Sequence, residues 1–503
     1  MSTTDVYADW KAPAGDAEIL IWPEPRGLLQ RTRDNHARLS SADHVRIQNA
    51  PLSQLRRTMR QFLGHDDAQP LLATGHQTEL YHAGVWVKDI LIDQAAATLN
   101  GQAYHFAVDT DSPKHLHVRW PGSSMPITDD PALTSNQAAW SALLTPPTPA
   151  HLETVEQAAR RDWSKFGFEP MLFDFVATLR TLALEPSSLS AAMTNAQHRI
   201  DWELGLRQHT MLVSPLLSSQ GYLALAHHIL SRPDAFAESY NRALAEYRRQ
   251  TGTTSPMRPM PDLFASDQSI EVPYWLDNLA QGTRTRPSVF RVAEGWMLEL
   301  LEGEQFLFRS GAGAEESAEA LRKFLDRTGH RLAPRALTLT MFLRLLVVDE
   351  FVHGIGGGRY DQVTDKIIAH HFGLQPPAFS VTTATMYFPT AVGRQRACLP
   401  CLKHEGHRLK HSVLGERKRE LVAQIAGLPR RSSQREELFL TMQRERRAAI
   451  ASSPKVQEWQ RQFRESEAQE QEEDVLFDRE LFYAVQSRDR LAMMIEKYKQ
   501  TFQ

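Results

Sequence analysis

Three consecutive glycines, Gly356 to Gly358, follow a strongly apolar run and precede an amphipathic segment. Such a backbone either takes positive φ or passes very close to another group. Glycine amides before a helix also suit an anion, because free N–H groups and the positive end of the helix dipole point the same way. The stretch therefore predicts a substrate-binding site, with a turn that needs glycine only for packing as the alternative. Its predicted substrate-binding residues are Gly354, Gly356, Gly357, Gly358, Arg359, Tyr360 and Asp361.

Length and charge restrict the class of protein. The 503 residues fit two or three domains, and the composition is that of a soluble globular protein. A net charge of −3 argues against nucleic acid or anionic membrane as the main partner. The first 25 residues lack the order of a signal peptide, and no apolar run approaches the ~18–20 residues that span a bilayer. The two cysteines lie too close together in the sequence to staple a fold, which predicts a reducing, cytoplasmic setting. We expect the partner to be a small-molecule substrate.

The first strong pattern is a βαβ unit. Leu71 to Ala73 predicts a buried strand, and Thr74 to Gln77 a polar turn at its carboxyl end. A helix from Gly84 to Asn100 follows, then a strand from Tyr104 to Val108 that ends in Asp109-Thr-Asp111. This order favours a parallel sheet, in which ligands bind outside the carboxyl ends of the strands.

A second βαβ-like pattern surrounds the glycines. The apolar run 337–348 precedes them, and a helix over 363–372 and a strand over 379–388 follow. Beyond about residue 392, charged residues and glutamine dominate, and the apolar residues space as in a heptad seam. That spacing predicts two antiparallel helices or a short coiled coil, and its apolar positions are Leu414, Leu421, Ile425 and Leu428.

These patterns predict an α/β fold with a Rossmann-like parallel-sheet core, helical insertions and a C-terminal helical coiled-coil domain. The predicted organisation is an N-terminal segment (1–70), the core (71–392) with a helical insertion at about 151–260, the coiled coil (393–475) and a C-terminal segment that packs back on the core (476–503).

The motifs resemble, in order and spacing, those of the bacillithiol-biosynthesis cysteine-adding enzymes, a family of cysteine ligases. The matching segments are Thr74-Gly-His-Gln77, His82-Ala-Gly-Val-Trp-Val-Lys88, Val108-Asp-Thr-Asp111, Pro334-Arg335, Gly354-Ile-Gly-Gly-Gly358 and Thr383-Ala-Thr385. His76 stands where the family has glutamine, and the glycine stretch lacks the family's proline. The resemblance implies a Rossmann-like core and a homodimer formed through the coiled coil. It also implies a ligase that joins the cysteine carboxyl to an amino-sugar-derived amine such as glucosaminyl-malate.

Amide formation needs an activated carboxyl, a deprotonated amine and shielding of negative charge. ATP or another nucleotide is the candidate cofactor, and the sequence leaves the energy source open. The predicted catalytic residues are Asp109, Asp111, His82 and His353, and the further substrate-binding residues are Thr74, Gly75, His76, Gln77 and Lys88. Each has a structural alternative: the aspartates as turn caps, the histidines as packed rings and Lys88 as a solvated helix lysine. A nucleotide or nucleotide-sugar dependent transferase on the same scaffold is a second hypothesis.

A zinc site is a competing interpretation of one segment. Cys398 and Cys401 form a Cys-x-x-Cys pair, and His404 and His407 follow. Two thiolates and two imidazoles can bind zinc tetrahedrally, although these ligands are unusually close in sequence. The alternative is a helix start with solvated histidines. A third hypothesis is accordingly a non-catalytic, zinc-containing coiled-coil assembly protein.

Overall fold

The computed structural model describes residues 10–65, 67–134, 138–185, 187–258, 260–392, 399–430 and 432–503. It is a mixed α/β structure, 53% helical, with a parallel-rich central sheet, as the sequence predicts. Two compact units form: the first comprises the chain up to Arg119, Ser124–Tyr387 and Arg479–Gln503, and the second Trp120–Ser123 and Phe388–Asp478. Among the described residues, no helix combines the length and apolar character needed to cross a membrane.

The strands are short and fall into several sheets. In chain order they are β1 (Ile19–Trp22), β2 (Arg46–Ile47), β3 (Ala50–Pro51), β4 (Leu71–Gln77), β5 (Gln102–Val108), β6 (His117–Trp120), β7 (Ser123–Pro126), β8 (His209–Leu212), β9 (Ser269–Glu271), β10 (Tyr274–Asn278), β11 (Thr283–Thr285), β12 (Ser288–Val292), β13 (Gly295–Glu299), β14 (Gln305–Phe308), β15 (His330–Pro334), β16 (Glu350–His353) and β17 (Ser380–Ala384).

Helices connect and cover these strands. They are α1 (Pro25–Ser40), α2 (Leu52–Phe62), α3 (Ala83–Leu99), α4 (Pro131–Thr134), α5 (Pro149–Trp163), α6 (Leu172–Leu182), α7 (Leu189–Glu203), α8 (Gln220–Ser231), α9 (Pro233–Thr251), α10 (Ala314–Thr328), α11 (Ala336–Phe342), α12 (Ile355–Phe372), α13 (Leu399–Ser412), α14 (Gly415–Ala426), α15 (Ser433–Ser452), α16 (Pro454–Leu476) and α17 (Arg488–Gln500).

The central sheet of the first unit has the strand order β1-β17-β16-β4-β5-β8. Only the edge strand β1 runs antiparallel to its neighbour, and the other pairs are parallel. From β4 the chain proceeds to β5 and β8 on one side, and later to β16 and β17 on the other. The direction of strand order therefore reverses between β4 and β16. In open parallel sheets a ligand binds at such a point, outside the carboxyl ends of the strands.

The predicted polar turn at Thr74 to Gln77 is wrong, because these residues form the second half of β4. All four pair in register with β5, from Thr74 opposite His105 to Gln77 opposite Val108. Gly75 permits the pairing, since a Cβ there would lie 2.8 Å from the carbonyl oxygen of Phe106. The polar composition misled the prediction because a strand pairs through its backbone, whatever its side chains are.

Two other segments differ from expectation. The apolar run 337–348 forms α11 and a π-helical turn over Leu343–Val347, and the strand before the glycines is the shorter Glu350–His353. Leucine is the commonest residue of that run, and it favours helix over strand. The segment 1–70, for which the sequence analysis predicts no strand, supplies α1 and the edge strand β1 of the central sheet.

Helix α3 lies in the interior of the first unit. Trp86, Ile90 and Leu91 are completely buried, and the helix packs against β4, β5 and β17. Asn100 ends it in a left-handed conformation with φ of 52°. Because the helix is apolar on nearly all sides, a polar residue on it is noteworthy, and Lys88 is one of them.

The second unit is helical. Helix α13 packs on α16 and α14 packs on α15. The Trp459 indole nitrogen donates a hydrogen bond of 2.7 Å to the Leu402 carbonyl, and Gly406 leaves room for the same indole ring. The described residues of this unit form four helices, where the sequence predicts two antiparallel helices or a short coiled coil. Of the proposed heptad positions, Leu421 is buried and the other three are half-buried.

Candidate functional site

The carboxyl ends of β4 and β16 lie side by side, with Val352 opposite Thr74 in the parallel register. Each strand leads to a helix: β4 to α3, whose N-cap is His82, and β16 to α12, whose N-cap is Gly354. Three of the predicted elements therefore meet where the strand order reverses: the Thr74 to Gln77 segment, His353 and the glycines. We call this place the switch edge.

Lys88 reaches the switch edge from within α3. Its side chain is buried and Nζ donates a hydrogen bond of 2.8 Å to the Gly75 carbonyl oxygen. Burial lowers the pKa of Lys88 to about 8, against the opposing effect of Asp89 and Glu79. An ammonium has three donors, and among the described residues this bond is the one that Lys88 makes. The alternative of a solvated helix lysine is therefore wrong.

His353 is oriented by a buried carboxylate. Its Nε2 lies 2.8 Å from Asp361 Oδ2, which also accepts a 2.6 Å hydrogen bond from Arg344 Nη1. Thr340 donates to the other Asp361 oxygen at 2.7 Å. Burial alone would raise the pKa of Asp361, but Arg344 and His353 outweigh it and hold the pKa well below its usual range. Asp361 is thus a fixed acceptor for His353 and not a free ligand-binding group.

The His353 imidazole is well placed for proton transfer. Burial lowers its pKa below the ordinary value for histidine, and Asp361 opposes that shift. Arg344 and Lys88 add to the lowering, and Lys88 does so from its bond to a backbone carbonyl of the neighbouring strand β4. A Cβ on Gly357 would lie 2.9 Å from His353 Nδ1, so this nitrogen faces the first turn of α12. The imidazole is neutral near pH 7, as a proton acceptor must be.

The glycines form the first turn of α12, and none of them has positive φ. Gly358 is required for packing, because a Cβ there would lie 2.5 Å from Val381 Cγ2 and 3.0 Å from the Trp10 ring. Gly354 and Gly356, in contrast, face open space. Among the described residues no side chain caps this 18-residue helix, so its first amides have no side-chain acceptor there. Packing therefore explains the glycine at position 358, whereas Gly354 and Gly356 leave space for a ligand.

Arg359 and Tyr360 lie outside this arrangement. Arg359 Nη2 donates a 2.8 Å hydrogen bond to the Trp10 carbonyl oxygen, and the Tyr360 side chain is exposed. His82 accepts a 3.0 Å hydrogen bond from the Gly84 amide and so caps its own helix. Arg359 and His82 thus make structural contacts at positions where the sequence predicts binding or catalysis.

Asp109 and Asp111 follow β5 but differ in their surroundings. The buried Asp109 accepts bonds from the Ser214 amide at 2.9 Å and from the Ser214 hydroxyl at 2.5 Å. Asp111 is half-buried, accepts a bond from the side chain of Gln77 and caps the Ser112 amide at 2.9 Å. Both Asp109 oxygens are engaged, so this carboxylate fastens the loop that follows β8.

Glu79 belongs to the switch edge, although the sequence did not indicate it. It lies two residues beyond β4, and its buried Oε1 is 3.2 Å from Nδ1 of the partly exposed His76. Oε2 is also buried and has no hydrogen-bond partner within the described part of the chain. Burial raises the pKa of Glu79 and lowers that of His76 well below its usual value. A carboxylate that immediately follows a glycine-containing strand end was the available signal.

Arg479 is the second residue that sequence reasoning missed. It is half-buried, and Nη2 donates to Thr383 Oγ1 at 3.0 Å and to the Ala384 carbonyl oxygen at 3.2 Å, at the carboxyl end of β17. Gly84 allows this approach, because a Cβ there would lie 2.8 Å from the guanidinium. Nearly 400 residues separate Arg479 from the motifs at β4, so no local pattern could have indicated it.

The proposed zinc ligands are only partly described, since Cys398 lies outside the described residues. Cys401 and His404 line one recess of the second unit together with Glu405 and Arg408. The His407 ring instead contacts that of His411, with 4.2 Å between centroids. Within the described part of the chain, no group of three or more His, Cys, Asp or Glu residues is arranged to hold a metal ion.

An open groove of about 540 Å³ lies elsewhere in the first unit. Residues of α6 and α7 line it, among them His198 and Trp202. None of the residues predicted for the site borders this groove. We place the candidate site at the switch edge, because unpartnered polar atoms indicate a polar ligand more directly than the size of an open groove does.

No protein-family model matches the chain, and no curated protein matches it.

Proposed function

We propose that this protein is a carbon–nitrogen ligase that joins the carboxyl group of an amino acid to an amine. Cysteine and an amino-sugar-derived amine such as glucosaminyl-malate are the first substrates to test, as for a divergent relative of the cysteine-adding enzymes. The observation that carries the proposal is the switch edge itself, where an uncapped helix N-terminus lies beside His353 and the buried ammonium of Lys88.

The strand order supports a Rossmann-like core. Taken from β8 across to β17, the parallel strands follow the order 3-2-1-4-5 in the sequence in which the chain forms them. That is the order of doubly wound dinucleotide-binding sheets, in which phosphate groups bind at a helix N-terminus near the reversal. In this proposal the first amides of α12 bind a phosphate, and Gly354 and Gly356 leave space for it.

ATP, when bound, would supply the activated carboxyl. The residues of the chain supply the remainder of the chemistry. His353 accepts the proton of the attacking amine, because burial keeps its imidazole neutral and Asp361 holds the ring in place. The α12 amides and Lys88 shield the negative charge that develops around the reacting carbonyl.

Mass spectrometry of the reaction mixture tests the proposal. Purified protein with cysteine, ATP and glucosaminyl-malate should yield the amide conjugate, and omission of ATP should abolish it. His353→Gln should lower the rate at least about 100-fold, the usual contribution of a general base. The control is His370→Gln, near the opposite end of the same helix, which should retain the wild-type rate. No conjugate with any nucleotide or amino acid would contradict the proposal.

A nucleotide or nucleotide-sugar dependent transferase is the second candidate. The same uncapped helix at the reversal of strand order favours it, because that arrangement binds nucleotides in enzymes of many activities. Thermal-shift measurements with nucleotides and nucleotide sugars separate the two candidates, since stabilisation grows with ligand concentration relative to Kd. A marked preference for a nucleotide sugar over ATP would favour the transferase.

The proposal includes a cytoplasmic homodimer that forms through a coiled coil of the second unit. The partly buried Leu414, Ile425 and Leu428 of the heptad positions support it. Sedimentation equilibrium of the full chain should give twice the 57.1 kDa of one chain. Replacement of all three residues by serine should shift the protein to monomer, and a monomeric wild-type protein would contradict this part.

A further inference from the structure

Glu79 and Lys88 are buried opposite charges that do not pair with each other. Glu79 keeps about 6% of its surface exposed and Lys88 about 2%. They contact adjacent residues of β4: Lys88 Nζ lies 2.8 Å from the Gly75 carbonyl oxygen and Glu79 Oε1 lies 3.2 Å from His76 Nδ1. Each also shifts the pKa of the other, since Lys88 lowers that of Glu79 and Glu79 raises that of Lys88. Among the described residues, however, no ion pair joins them: Lys88 bonds to the Gly75 carbonyl, and Glu79 contacts His76.

Several buried polar groups at this position have donors or acceptors that no described residue uses. Among the residues that the structure describes, none donates a hydrogen bond to the buried Glu79 Oε2, and none pairs with the buried hydroxyl of the preceding Thr78. Lys88 has two further donors. A buried polar group without a partner costs about 1–3 kcal/mol, and more when it is charged. Folded proteins rarely keep several such groups together unless a ligand or an ordered water completes them.

We propose that Glu79 and Lys88 form a subsite for the zwitterionic end of a free α-amino acid. The α-ammonium group donates to Glu79 Oε2, and the α-carboxylate accepts from Lys88 Nζ. Thr78 supplies a further hydroxyl within the same subsite. This assignment rests on the proposed ligase function, for which it identifies the residues that select an amino acid over other carboxylic acids.

His76 controls entry to the subsite. Its ring contacts the second Glu79 oxygen and remains 26% exposed, whereas the free oxygen beneath is closed to solvent. Rotation of this ring opens the carboxylate to a ligand from the carboxyl side of the sheet. Because burial keeps the pKa of His76 low, the ring is neutral at pH 7 and does not add a charge that would repel an ammonium group.

Calorimetric titration of the full-length protein, with and without ATP, tests the subsite. The probes are L-cysteine and its two single-charge analogues, 3-mercaptopropionate without the ammonium group and cysteamine without the carboxylate. Wild-type protein should bind cysteine at least about tenfold more tightly than either analogue. Glu79→Gln should weaken cysteine about tenfold and leave 3-mercaptopropionate unchanged. Lys88→Met should weaken cysteine and 3-mercaptopropionate but leave cysteamine unchanged. About tenfold corresponds to 1.4 kcal/mol.

Matched surface variants control for non-specific loss of charge. Glu238→Gln and Lys323→Met remove one charge each from exposed helix positions and should bind all three probes as the wild type does. Circular dichroism melts establish that each variant is folded. If Lys88→Met does not fold, the three-probe comparison in Glu79→Gln decides alone.

The outcomes separate this inference from the ligase proposal. Cysteine affinity that is unchanged in Glu79→Gln would overturn the subsite and indicate a structural water at the free oxygen. Failure of the wild-type protein to bind any of the common L-amino acids would overturn it as well. The expected binding pattern without conjugate formation would leave the subsite standing and contradict the ligase. Conjugate formation by Glu79→Gln with an unchanged KM for cysteine would support the ligase and overturn the subsite.

Discussion

Two carboxylates follow the neighbouring parallel strands β4 and β5, and both are almost completely buried. Asp109, after β5, has both oxygens occupied by Ser214. Glu79, after β4, has one oxygen near His76 and another with no partner. Because the two carboxylates differ in their hydrogen-bond partners, an acidic residue at a strand end is not by itself evidence of a site. The unused hydrogen-bonding capacity of Glu79 is the reason to place the candidate site beside β4, where the strand order reverses.

The largest expected effect is a contrast in stability between the isosteric amides. Asp109→Asn places an amide group against the Ser214 donors and should lower the free energy of unfolding by about 3 kcal/mol. Glu79→Gln removes a poorly solvated charge and should change it by less than about 1 kcal/mol. Urea unfolding of both variants measures the contrast. Equal losses would mean that Glu79 is as structural as Asp109.

Lys88 should make stability depend on alkaline pH. Burial lowers the pKa of Lys88 from its ordinary value of 10.5 to about 8 in the fold, so between these pH values the unfolded chain holds a proton that the folded chain has released. Stability contributed by this group therefore rises with pH across that window, by at most about 3 kcal/mol. Urea unfolding at roughly pH 7.5, 9 and 10.5 brackets this window, and the free energy of unfolding of the wild-type protein should rise relative to that of Lys88→Met. Parallel curves for the two proteins would contradict a buried Lys88.

The glycines of α12 should differ in their tolerance of alanine. Gly358→Ala forces a methyl group against Val381 and Trp10 and should cost about 2 kcal/mol. Gly356→Ala enters open space in a helical conformation, so it should stabilise the fold by a few tenths of a kcal/mol up to about 1. Thermal melts of the two variants test whether packing restricts Gly358 while Gly356 remains open to a ligand. A large loss in Gly356→Ala would contradict that division.

The smallest effect is expected at Asp111, the second carboxylate after β5. It is half-buried, and its partners are the Gln77 side chain and the next backbone amide. Asp111→Asn should change the free energy of unfolding by about 0.5 kcal/mol or less, as for other partly solvated positions. Cysteine affinity should also stay at the wild-type value. A loss of binding here would extend the site to β5 and weaken the contrast with Asp109.

Local patterns were sufficient for several elements of the fold. The sequence predicts α3 and β5 to within two residues of their observed bounds, because apolar periodicity and the Asn100-Gly101 stop are both local signals. The parallel sheet followed from the βαβ order. The edge strand β1 was missed because four residues that pair with β17, more than 350 positions away, show no pattern of their own.

The site could be predicted only in part, for the same reason. Glycines before a helix and the His353 position are visible in sequence. The Asp109–Ser214 bond, the free oxygen of Glu79 and the approach of Arg479 to β17 arise from contacts between distant segments. Residue type gave the candidates, but long-range packing decides which of their polar atoms remain available.

The most direct test of the account is a crystal structure of the full chain with L-cysteine and a non-hydrolysable ATP analogue. The amino acid should lie between Glu79 and Lys88, and a phosphate group should lie against the first amides of α12. Both ligands in the groove between α6 and α7, with the switch edge unchanged, would contradict it.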